Sequence, residues 1–433
     1  MKSYQVRPAS RVSGHLRVPG DKSISHRTLM LGGIAEGRTE VTGFLASADC
    51  LATLEAFRSM GVVVERRGET SLTVHGRGLR GLQAPATVLD MGNAGTAIRL
   101  SMGLLAGQRF EATLTGDASL RSRPMERVAK PLRLMGADIA TTAGMPPVTV
   151  RPVARLAGID YLLPVASAQV KSAILMAGLY ADGITTVTEP APTRDHTERM
   201  LRGFGVAIES SGARIRLGGQ QKLSGTRIDV PGDISSAAFF LVAGCLAGVD
   251  EFVIENVGVN PTRTGVIDIL RLMGADIHLH ARASQGAEPV ADIEIRRSAL
   301  RGIHVPESLV PRAIDELPVL FVAAAAASGE TVFTGAAELR VKESDRLAVM
   351  AEGLSRLGIE SELAPDGIRI QGGRRFRGGE INSHGDHRIA MAFTIASLHS
   401  DAEITVRDVE NVGTSFPGFV EAACGCGLDV ALA

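Results

Sequence analysis

Basic and hydroxyl side chains are concentrated in one stretch near the start of the chain, from Pro19 to Arg27. It reads Pro-Gly-Asp-Lys-Ser-Ile-Ser-His-Arg and leads into an apolar run, Thr28 to Ala35, that predicts a helix. We expect Lys22, Ser23 and Arg27 in the first turn of this helix, where unpaired N–H groups and the helix dipole attract anions. Taken alone, such a turn is more typical of a capped surface helix with solvated charges than of an anion site.

Five further apolar helices are predicted to begin with comparable polar turns. These turns read Gly92-Asn-Ala-Gly-Thr-Ala-Ile-Arg99, Ala166-Ser-Ala-Gln-Val-Lys171, Gly232-Asp-Ile-Ser-Ser236, Ile314-Asp-Glu316 and Gly385-Asp-His-Arg388. More cations stand next to the charged helices, at Arg121, Arg123, Arg194, Arg340, Lys342 and Arg346. This repetition favours sites for anionic ligands over capping alone.

Several other chemistries lack their motifs. The sequence contains neither a P-loop nor a Gly-x-Gly-x-x-Gly fingerprint, and no Gly-x-Ser-x-Gly elbow supports a Ser-His-Asp triad. His384 and His387 could contact a divalent ion, but no further His or Cys cluster completes a ligand set. We therefore predict no bound metal.

A repeated pattern positions these polar turns. An amphipathic helix followed by a glycine and a strand occurs six times, with the glycine at Gly61, Gly136, Gly205, Gly274, Gly358 and Gly427. Interleaved with this pattern are helices that are apolar nearly all round and that predict burial. They lie within Ser25 to Val41, Gly95 to Leu114, Ala168 to Val187, Ser235 to Ile254, Glu316 to Val332 and His387 to Val406.

The repeats predict an α/β protein with two domains, each built from three βαβαββ units around buried helices. Val230-Pro-Gly-Asp233 echoes Val18-Pro-Gly-Asp21, which suggests that the chain crosses between domains at both places. We expect one domain at 20–231 and a second at 1–19 plus 232–433, and we expect residues 1–18 to form a strand.

Composition excludes some partners. The 433 residues carry a net charge of −1, so nucleic acid and anionic membranes gain no general attraction. The N-terminus lacks the apolar core of a signal peptide, and apolar runs such as Val319 to Ala327 are too short to span a bilayer. Four cysteines without Cys-x-x-Cys spacing indicate a reducing compartment. We expect a soluble, cytoplasmic protein.

These motifs resemble those of the enolpyruvyl transferase family, and most closely its 5-enolpyruvylshikimate-3-phosphate synthases of class II. The resemblance is carried by Pro19 to Arg27, Asn93 to Arg99, Leu114 to Leu120, Ala166 to Gln169, Arg194 to Glu198, Arg340 to Arg346 and Asp386 to Met391. It implies a two-domain inside-out α/β barrel with the active site in the cleft between the domains. It also implies transfer of the enolpyruvyl group of phosphoenolpyruvate to the 5-hydroxyl of shikimate 3-phosphate, without a cofactor. A monomer is expected, with glyphosate as a possible inhibitor.

The resemblance also implies binding residues. Those for shikimate 3-phosphate are Lys22, Ser23, Arg27, Ser167, Ala168, Gln169, Arg194, Asp315 and Lys342. Those for phosphoenolpyruvate are Lys22, Gly95, Arg123, Gln169, Arg346 and Arg388. Many relatives have a lysine where this chain has Gly413, which predicts a lower affinity for phosphoenolpyruvate.

The implied reaction requires an acid that protonates C3 of phosphoenolpyruvate and a base for the attacking hydroxyl. We assign Glu343 as the acid, Asp315 as the base, and Lys22 as the cation that stabilises the departing phosphate. The purely structural alternatives are an N-cap for Asp315 and a salt bridge on a helix face for Glu343.

Two other functions remain open. The sister transferase acting on UDP-N-acetylglucosamine shares the fold, but it usually has a reactive Cys in the loop at about 110–123 and Lys-Asn in place of Lys22-Ser23; this chain has neither. The other alternative is not an enzyme but a repeat scaffold that binds phosphorylated ligands. Such a scaffold would have no use for buried carboxylates among its cations.

Overall fold

The computed structural model describes residues 2–282 and 288–433, which divide into two compact units. The terminal unit comprises residues 2–19, 231–282 and 289–433, and the inserted unit comprises residues 20–230 with Glu288. Each unit has its own hydrophobic core.

The chain begins with two strands of the terminal unit, β1 (Ser3–Arg7) and β2 (Arg11–Arg17). They belong to different sheets, so the expectation of one continuous strand over residues 1–18 is wrong. Pro8, directly after β1, has no N–H group for a sheet and accounts for the break.

The inserted unit contains seven helices and fourteen strands among its described residues. In chain order these are α1 (Lys22–Ile34), β3 (Arg38–Thr42), α2 (Ala48–Ser59), β4 (Val63–Arg66), β5 (Leu72–His75), β6 (Leu89–Asp90), α3 (Gly95–Leu105), β7 (Ala112–Thr115), α4 (Ala118–Arg121), α5 (Glu126–Leu134), β8 (Asp138–Thr142), β9 (Met145–Arg151), β10 (Leu156–Ala157), β11 (Asp160–Leu162), α6 (Ala168–Gly178), β12 (Ala181–Asp182), β13 (Ile184–Thr188), α7 (His196–Gly203), β14 (Ile208–Ser211), β15 (Arg214–Gly218) and β16 (Arg227–Asp229).

Three four-stranded sheets of this unit share one pattern, in the orders β16-β3-β5-β4, β6-β7-β9-β8 and β11-β13-β15-β14. In each sheet the first pair is parallel and the other two pairs are antiparallel. Strands β10 and β12 form a small parallel pair.

The terminal unit continues after the insertion. Its elements are α8 (Ile234–Leu246), β17 (Gly248–Gly258), α9 (Gly265–Leu272), β18 (Asp276–Ala281), β19 (Val290–Arg296), α10 (Val310–Ala313), α11 (Leu317–Ala326), β20 (Glu330–Phe333), α12 (Arg346–Arg356), β21 (Ser361–Ala364), β22 (Gly367–Gln371), β23 (Gly379–Asn382), α13 (His387–Ala396), β24 (Ile404–Arg407), α14 (Phe419–Gly425) and β25 (Asp429–Leu432). Its sheets have the orders β18-β19-β17-β2, β20-β22-β21 and β23-β24-β1-β25.

The helices predicted to be buried form the centres of both cores. In the terminal unit, every residue of α8 from Ile234 to Cys245 is buried, as is every residue of α11 from Leu317 to Ala325. A helix that is apolar all round gains free energy from burial on all sides, about 1.5–3 kcal/mol for each large aliphatic side chain. Within residues 2–282 and 288–433, no helix combines the length and apolar character needed to cross a membrane.

The six glycines of the repeated pattern all have left-handed φ angles, between 85° and 114°. Each lies two residues beyond the end of a helix, namely α2, α5, α7, α9, α12 or α14. The prediction of glycine helix terminators is therefore confirmed, because an L side chain is strained in this conformation.

Helix α1 begins earlier than predicted, at Lys22 rather than near Thr28. The Asp21 carboxylate caps it by accepting a hydrogen bond from the Ile24 N–H group at 2.8 Å. As a consequence, Arg27 lies in the second turn and is buried, which corrects its expected position in the first turn.

Candidate active site

At the start of α1, Lys22 is paired with a carboxylate that the sequence did not single out. The Lys22 Nζ lies 2.5 Å from Oδ2 of Asp49, which is buried in the first turn of α2. Lys22 itself is about one-fifth exposed, at 21%. An ammonium group held next to a buried carboxylate has a fixed direction, and its partial exposure leaves it accessible to an anion.

Arg27 is held inside the inserted unit. Its Nε donates to Thr197 Oγ1 at 2.8 Å, Nη2 donates to Ser172 Oγ at 2.9 Å, and Nη1 donates to the carbonyl oxygen of Ser23 at 3.0 Å. These bonds connect α1 with α6 and α7. The guanidinium therefore organises the surroundings of Lys22 and Ser23, and its contact with a substrate phosphate stays a prediction.

A second cluster of the inserted unit surrounds the start of α3. Arg99 Nη1 donates to Gln169 Oε1 at 2.8 Å, and Gln169 Nε2 donates to Thr96 Oγ1 at 3.1 Å. Arg123 Nη2 donates to Asn93 Oδ1 at 2.6 Å, in the turn that precedes Gly95. The structure thus brings together the predicted Gly95, Arg123 and Gln169. Arg99 and Asn93 fix their orientation, although the sequence singled out neither for a role.

The starts of α6 and α7 carry the remaining predicted residues of the inserted unit. Ser167 is the N-cap of α6, and its hydroxyl accepts a hydrogen bond from the Val170 N–H group at 3.4 Å. Ala168 and Gln169 form the first turn of the same helix. Arg194 is half-buried in the connection between β13 and α7.

In the terminal unit, the predicted acid and base lie among cations. Asp315 Oδ1 is 3.3 Å from Arg346 Nη1 and 3.5 Å from Lys342 Nζ. Glu343 Oε2 is 2.5 Å from Arg346 Nη2. Arg388 Nη1 donates to the main-chain oxygen of Asp315 at 2.9 Å. All five predicted residues of this unit therefore form one cluster.

Arg346 is the centre of this cluster and is 1% exposed. Burial lowers its pKa, but the charges of Asp386, Glu343 and Asp315 outweigh that effect, so the pKa is raised from its usual value. Asp386, the N-cap of α13, accepts from Arg346 Nε at 2.8 Å. The guanidinium remains charged and holds three carboxylates at fixed distances.

The structural alternatives for the two carboxylates do not hold as stated. The N-cap of α11 is Glu316, not Asp315. Glu343 does form a salt bridge with Arg346, but it precedes α12 and so does not lie on a helix face. Both side chains are partly exposed, which leaves them accessible to a ligand.

The two candidate metal ligands differ in their surroundings. His384 is about half exposed and lies 3.8 Å from Glu352, whereas His387 is buried in α13. Among the described residues, no group of three or more His, Cys, Asp and Glu side chains could hold a metal ion.

Comparison with known proteins identifies the family. The profile of EPSP synthase (3-phosphoshikimate 1-carboxyvinyltransferase) matches residues 6–422. A 3-phosphoshikimate 1-carboxyvinyltransferase of Methylococcus capsulatus is 60% identical over 428 residues, covering 99% of this chain and 98% of the relative. The chain belongs to the EPSP synthase family. A relative from Alkalilimnicola ehrlichii with the same name is also 60% identical, over 426 residues that cover 98% of this chain and 96% of that one.

Solved structures of EPSP synthases agree with the fold. The chain is 55% identical to EPSP synthase from Acinetobacter baumannii, with a TM-score of 0.89 and complete coverage of both chains. The enolpyruvyl transferase NikO from Streptomyces tendae has a TM-score of 0.77 at 18% identity, covering 100% of this chain and 99% of that one, which shows a shared fold alone. The predictions of an α/β fold, of the family and of a 3-phosphoshikimate 1-carboxyvinyltransferase are confirmed. Membership of the EPSP synthase family does not favour the UDP-N-acetylglucosamine alternative or the non-catalytic scaffold.

Proposed function

We propose that this chain transfers the carboxyvinyl group of phosphoenolpyruvate to the 5-hydroxyl of shikimate 3-phosphate and releases phosphate. This reaction belongs to the shikimate pathway of aromatic amino acid biosynthesis. The main structural support is a cluster in which two carboxylates lie among three cations. The carboxylates are Asp315 and Glu343, and the cations are Lys342, Arg346 and Arg388. Anionic substrates are attracted to such cations, and the carboxylates supply the acid and base that the reaction needs.

Shikimate 3-phosphate is proposed to bind mainly in the inserted unit. Its phosphate would be held at the starts of α1 and α6, because the N-terminus of a helix attracts anions. The proposed contacts are Lys22, Ser23, Arg27, Ser167, Ala168, Gln169 and Arg194. From the terminal unit, Asp315 and Lys342 are proposed to contact the same substrate.

Phosphoenolpyruvate is proposed to bind through cations that are already oriented by carboxylates and amides. The proposed contacts are Lys22, Gly95, Arg123, Gln169, Arg346 and Arg388. Arg123 is fixed by Asn93 and Arg346 by Asp386, so little side-chain entropy is lost on binding.

The reaction is proposed to proceed through a tetrahedral ketal. In its protonated form, Glu343 donates a proton to C3 of phosphoenolpyruvate while Asp315 takes the proton of the 5-hydroxyl, whose oxygen forms a bond with C2. The C2–O bond to phosphate then breaks, and Lys22 stabilises the charge on the departing oxygen. Glu343, now a carboxylate, removes a proton from the new methyl group and restores the double bond.

The finer architecture is also part of the proposal. Six βαβαββ repeats, three in each of two domains, would form inside-out barrels with domain boundaries at 20–231 and at 1–19 plus 232–433. The shared strand order of the three four-stranded sheets in the inserted unit supports this interpretation. In the terminal unit, one of the three sheets has three strands, β20, β22 and β21.

We further propose that the enzyme acts as a monomer in the cytoplasm. All proposed contacts come from one chain. The four cysteines are free thiols, as a reducing compartment would keep them.

A phosphate-release assay tests the function. Phosphate should appear when the protein is mixed with phosphoenolpyruvate and shikimate 3-phosphate. None should appear when UDP-N-acetylglucosamine replaces shikimate 3-phosphate, or when only one of the two substrates is present. The same assay with EDTA should give an unchanged rate, because the cations at the site neutralise the substrate charges. If phosphate were released with UDP-N-acetylglucosamine and not with shikimate 3-phosphate, the protein would instead be the transferase that acts on UDP-N-acetylglucosamine.

A further inference from the structure

Helix α6 carries a lysine that faces the protein interior. Lys171 is 1% exposed, and its Nζ lies 2.9 Å from Glu189 Oε2 and 2.7 Å from Glu198 Oε1. The same Nζ donates to the main-chain oxygen of Thr193 at 3.5 Å. The two glutamates are 6% and 2% exposed, so this is a buried charge cluster. Lys171 lies two residues beyond Gln169.

The partners of Lys171 enclose one connection of the chain. Glu189 directly follows β13, and Glu198 lies in the first turn of α7. Thr193, between them, donates a hydrogen bond from Oγ1 to Glu189 Oε1. One ammonium group therefore binds the beginning, the middle and the end of the segment from Glu189 to Glu198. Arg194 is the residue next to Thr193 in this segment.

A second set of bonds fastens α7 to α6 at the neighbouring position. Thr197 Oγ1 donates to Ser172 Oγ at 2.8 Å, and both hydroxyls accept from Arg27. Adjacent residues of α6, Lys171 and Ser172, thus hold the same end of α7. This arrangement fixes the direction in which the connection leaves β13.

We propose that Lys171 is a positioning residue that holds Arg194 where it contacts the phosphate of shikimate 3-phosphate. This inference rests on the proposed role of Arg194 in binding. Buried charges are stable only when paired and hydrogen-bonded, so the cluster permits few alternative geometries of the connection. Replacing a buried ion pair by apolar groups often leaves the folding stability unchanged. We therefore attribute the cluster to the geometry that it imposes on the connection and not to a gain in folding stability.

The test is a double-mutant cycle on the affinity for shikimate 3-phosphate, measured by titration calorimetry. Lys171→Met should weaken this affinity about tenfold, the effect expected when a charged hydrogen-bonding group is displaced. In an Arg194→Gln background, Lys171→Met should add less than about twofold, because both changes remove the same contact. The KM for phosphoenolpyruvate should change less than the affinity for shikimate 3-phosphate.

Two further variants keep the test decisive. Thr193→Val removes only the hydroxyl that bonds Glu189, so it replaces Lys171→Met in the cycle if that variant does not fold. Arg80→Met is the matched control, because Arg80 anchors another connection of the inserted unit, donating to the Gly107 oxygen at 2.7 Å. It should lower the melting temperature and leave the affinity for shikimate 3-phosphate unchanged.

Three results would overturn the inference. One is full additivity of Lys171→Met and Arg194→Gln, and another is an equal loss of affinity in Arg80→Met. The third is wild-type affinity in Arg194→Gln, which would remove Arg194 from the binding site. Failure of the proposed function is distinguishable, because the wild-type protein would then release no phosphate from the two substrates.

Discussion

A methyl group added to Gly95 would lie 3.2 Å from Nη1 of Arg123, closer than an ordinary van der Waals contact. The same methyl group would lie 3.0 Å from Nη1 of Arg99. Both guanidinium groups are buried and hydrogen-bonded to neighbouring groups. The absence of a side chain at Gly95 therefore leaves these two cations in their positions.

Gly95→Ala should raise the KM for phosphoenolpyruvate by about tenfold or more, because an extra methyl group in a packed site costs about 1–3 kcal/mol. The KM for shikimate 3-phosphate should change less. Steady-state kinetics with each substrate varied provides the measurement. Gly203→Ala is the control, since its added methyl group would meet no atom within 4 Å beyond its chain neighbours and the backbone of its own helix. An unchanged KM for phosphoenolpyruvate in Gly95→Ala would place that substrate elsewhere.

Glu343→Gln should still bind both substrates, but its kcat should fall by about a hundred- to ten-thousandfold, because the amide cannot donate and accept the proton at C3. Equilibrium binding and kcat are measured on the same preparation. Glu352→Gln is a suitable control, as this glutamate on α12 pairs with Arg356 on the surface. Near-normal turnover in Glu343→Gln would exclude Glu343 as the acid.

Gly413→Lys should lower the KM for phosphoenolpyruvate, because it supplies the cation that the family resemblance implies at this position. The substitution has room, since Gly413 is exposed in a 3-10 helix, Glu410–Thr414, and an added Cβ would meet no atom within 4 Å beyond the neighbouring backbone. Gly413→Gln is the matched control without charge. Equal kinetics for the two variants would contradict a role of this position in binding.

Glyphosate should inhibit the wild-type enzyme weakly. The class II motifs and Gly413 indicate tolerance, although the absence of a side chain at Gly95 favours sensitivity. The measurement is the inhibition constant with phosphoenolpyruvate as the varied substrate. Competitive inhibition with a constant well below the KM for phosphoenolpyruvate would show the enzyme to be sensitive.

His26 should make the protein less stable in mild acid. Burial lowers its pKa well below the usual value, and the charges of Lys22 and Arg27 lower it further. Below about pH 6.5 the unfolded chain takes up a proton at this histidine and the folded protein does not, so the free energy of unfolding falls by up to about 1.4 kcal/mol per pH unit. His26→Asn should show a correspondingly shallower loss of stability between about pH 7 and pH 5 in urea denaturation. Parallel curves for the two proteins would contradict this prediction.

The sequence determined the local features of this protein. The helix terminators at residues such as Gly61 and Gly358 follow from a conformation that only glycine adopts without strain. The burial of α8 and α11 follows from their apolar composition, which has no polar face to present to water. The family follows from motifs that extend along almost the whole chain, and they also indicated the cations and carboxylates of the site.

Only the tertiary structure decided which charges neutralise one another. Asp49 pairs with Lys22, Asp386 with Arg346, and Glu189 with Lys171, and each pair joins elements that are separated in sequence. Hydrophobic periodicity identifies the buried face of an element but not the partner that each buried charge meets on another element. Those partners depend on how helices and connections pack, because a buried charge requires a counter-charge within hydrogen-bonding distance in space.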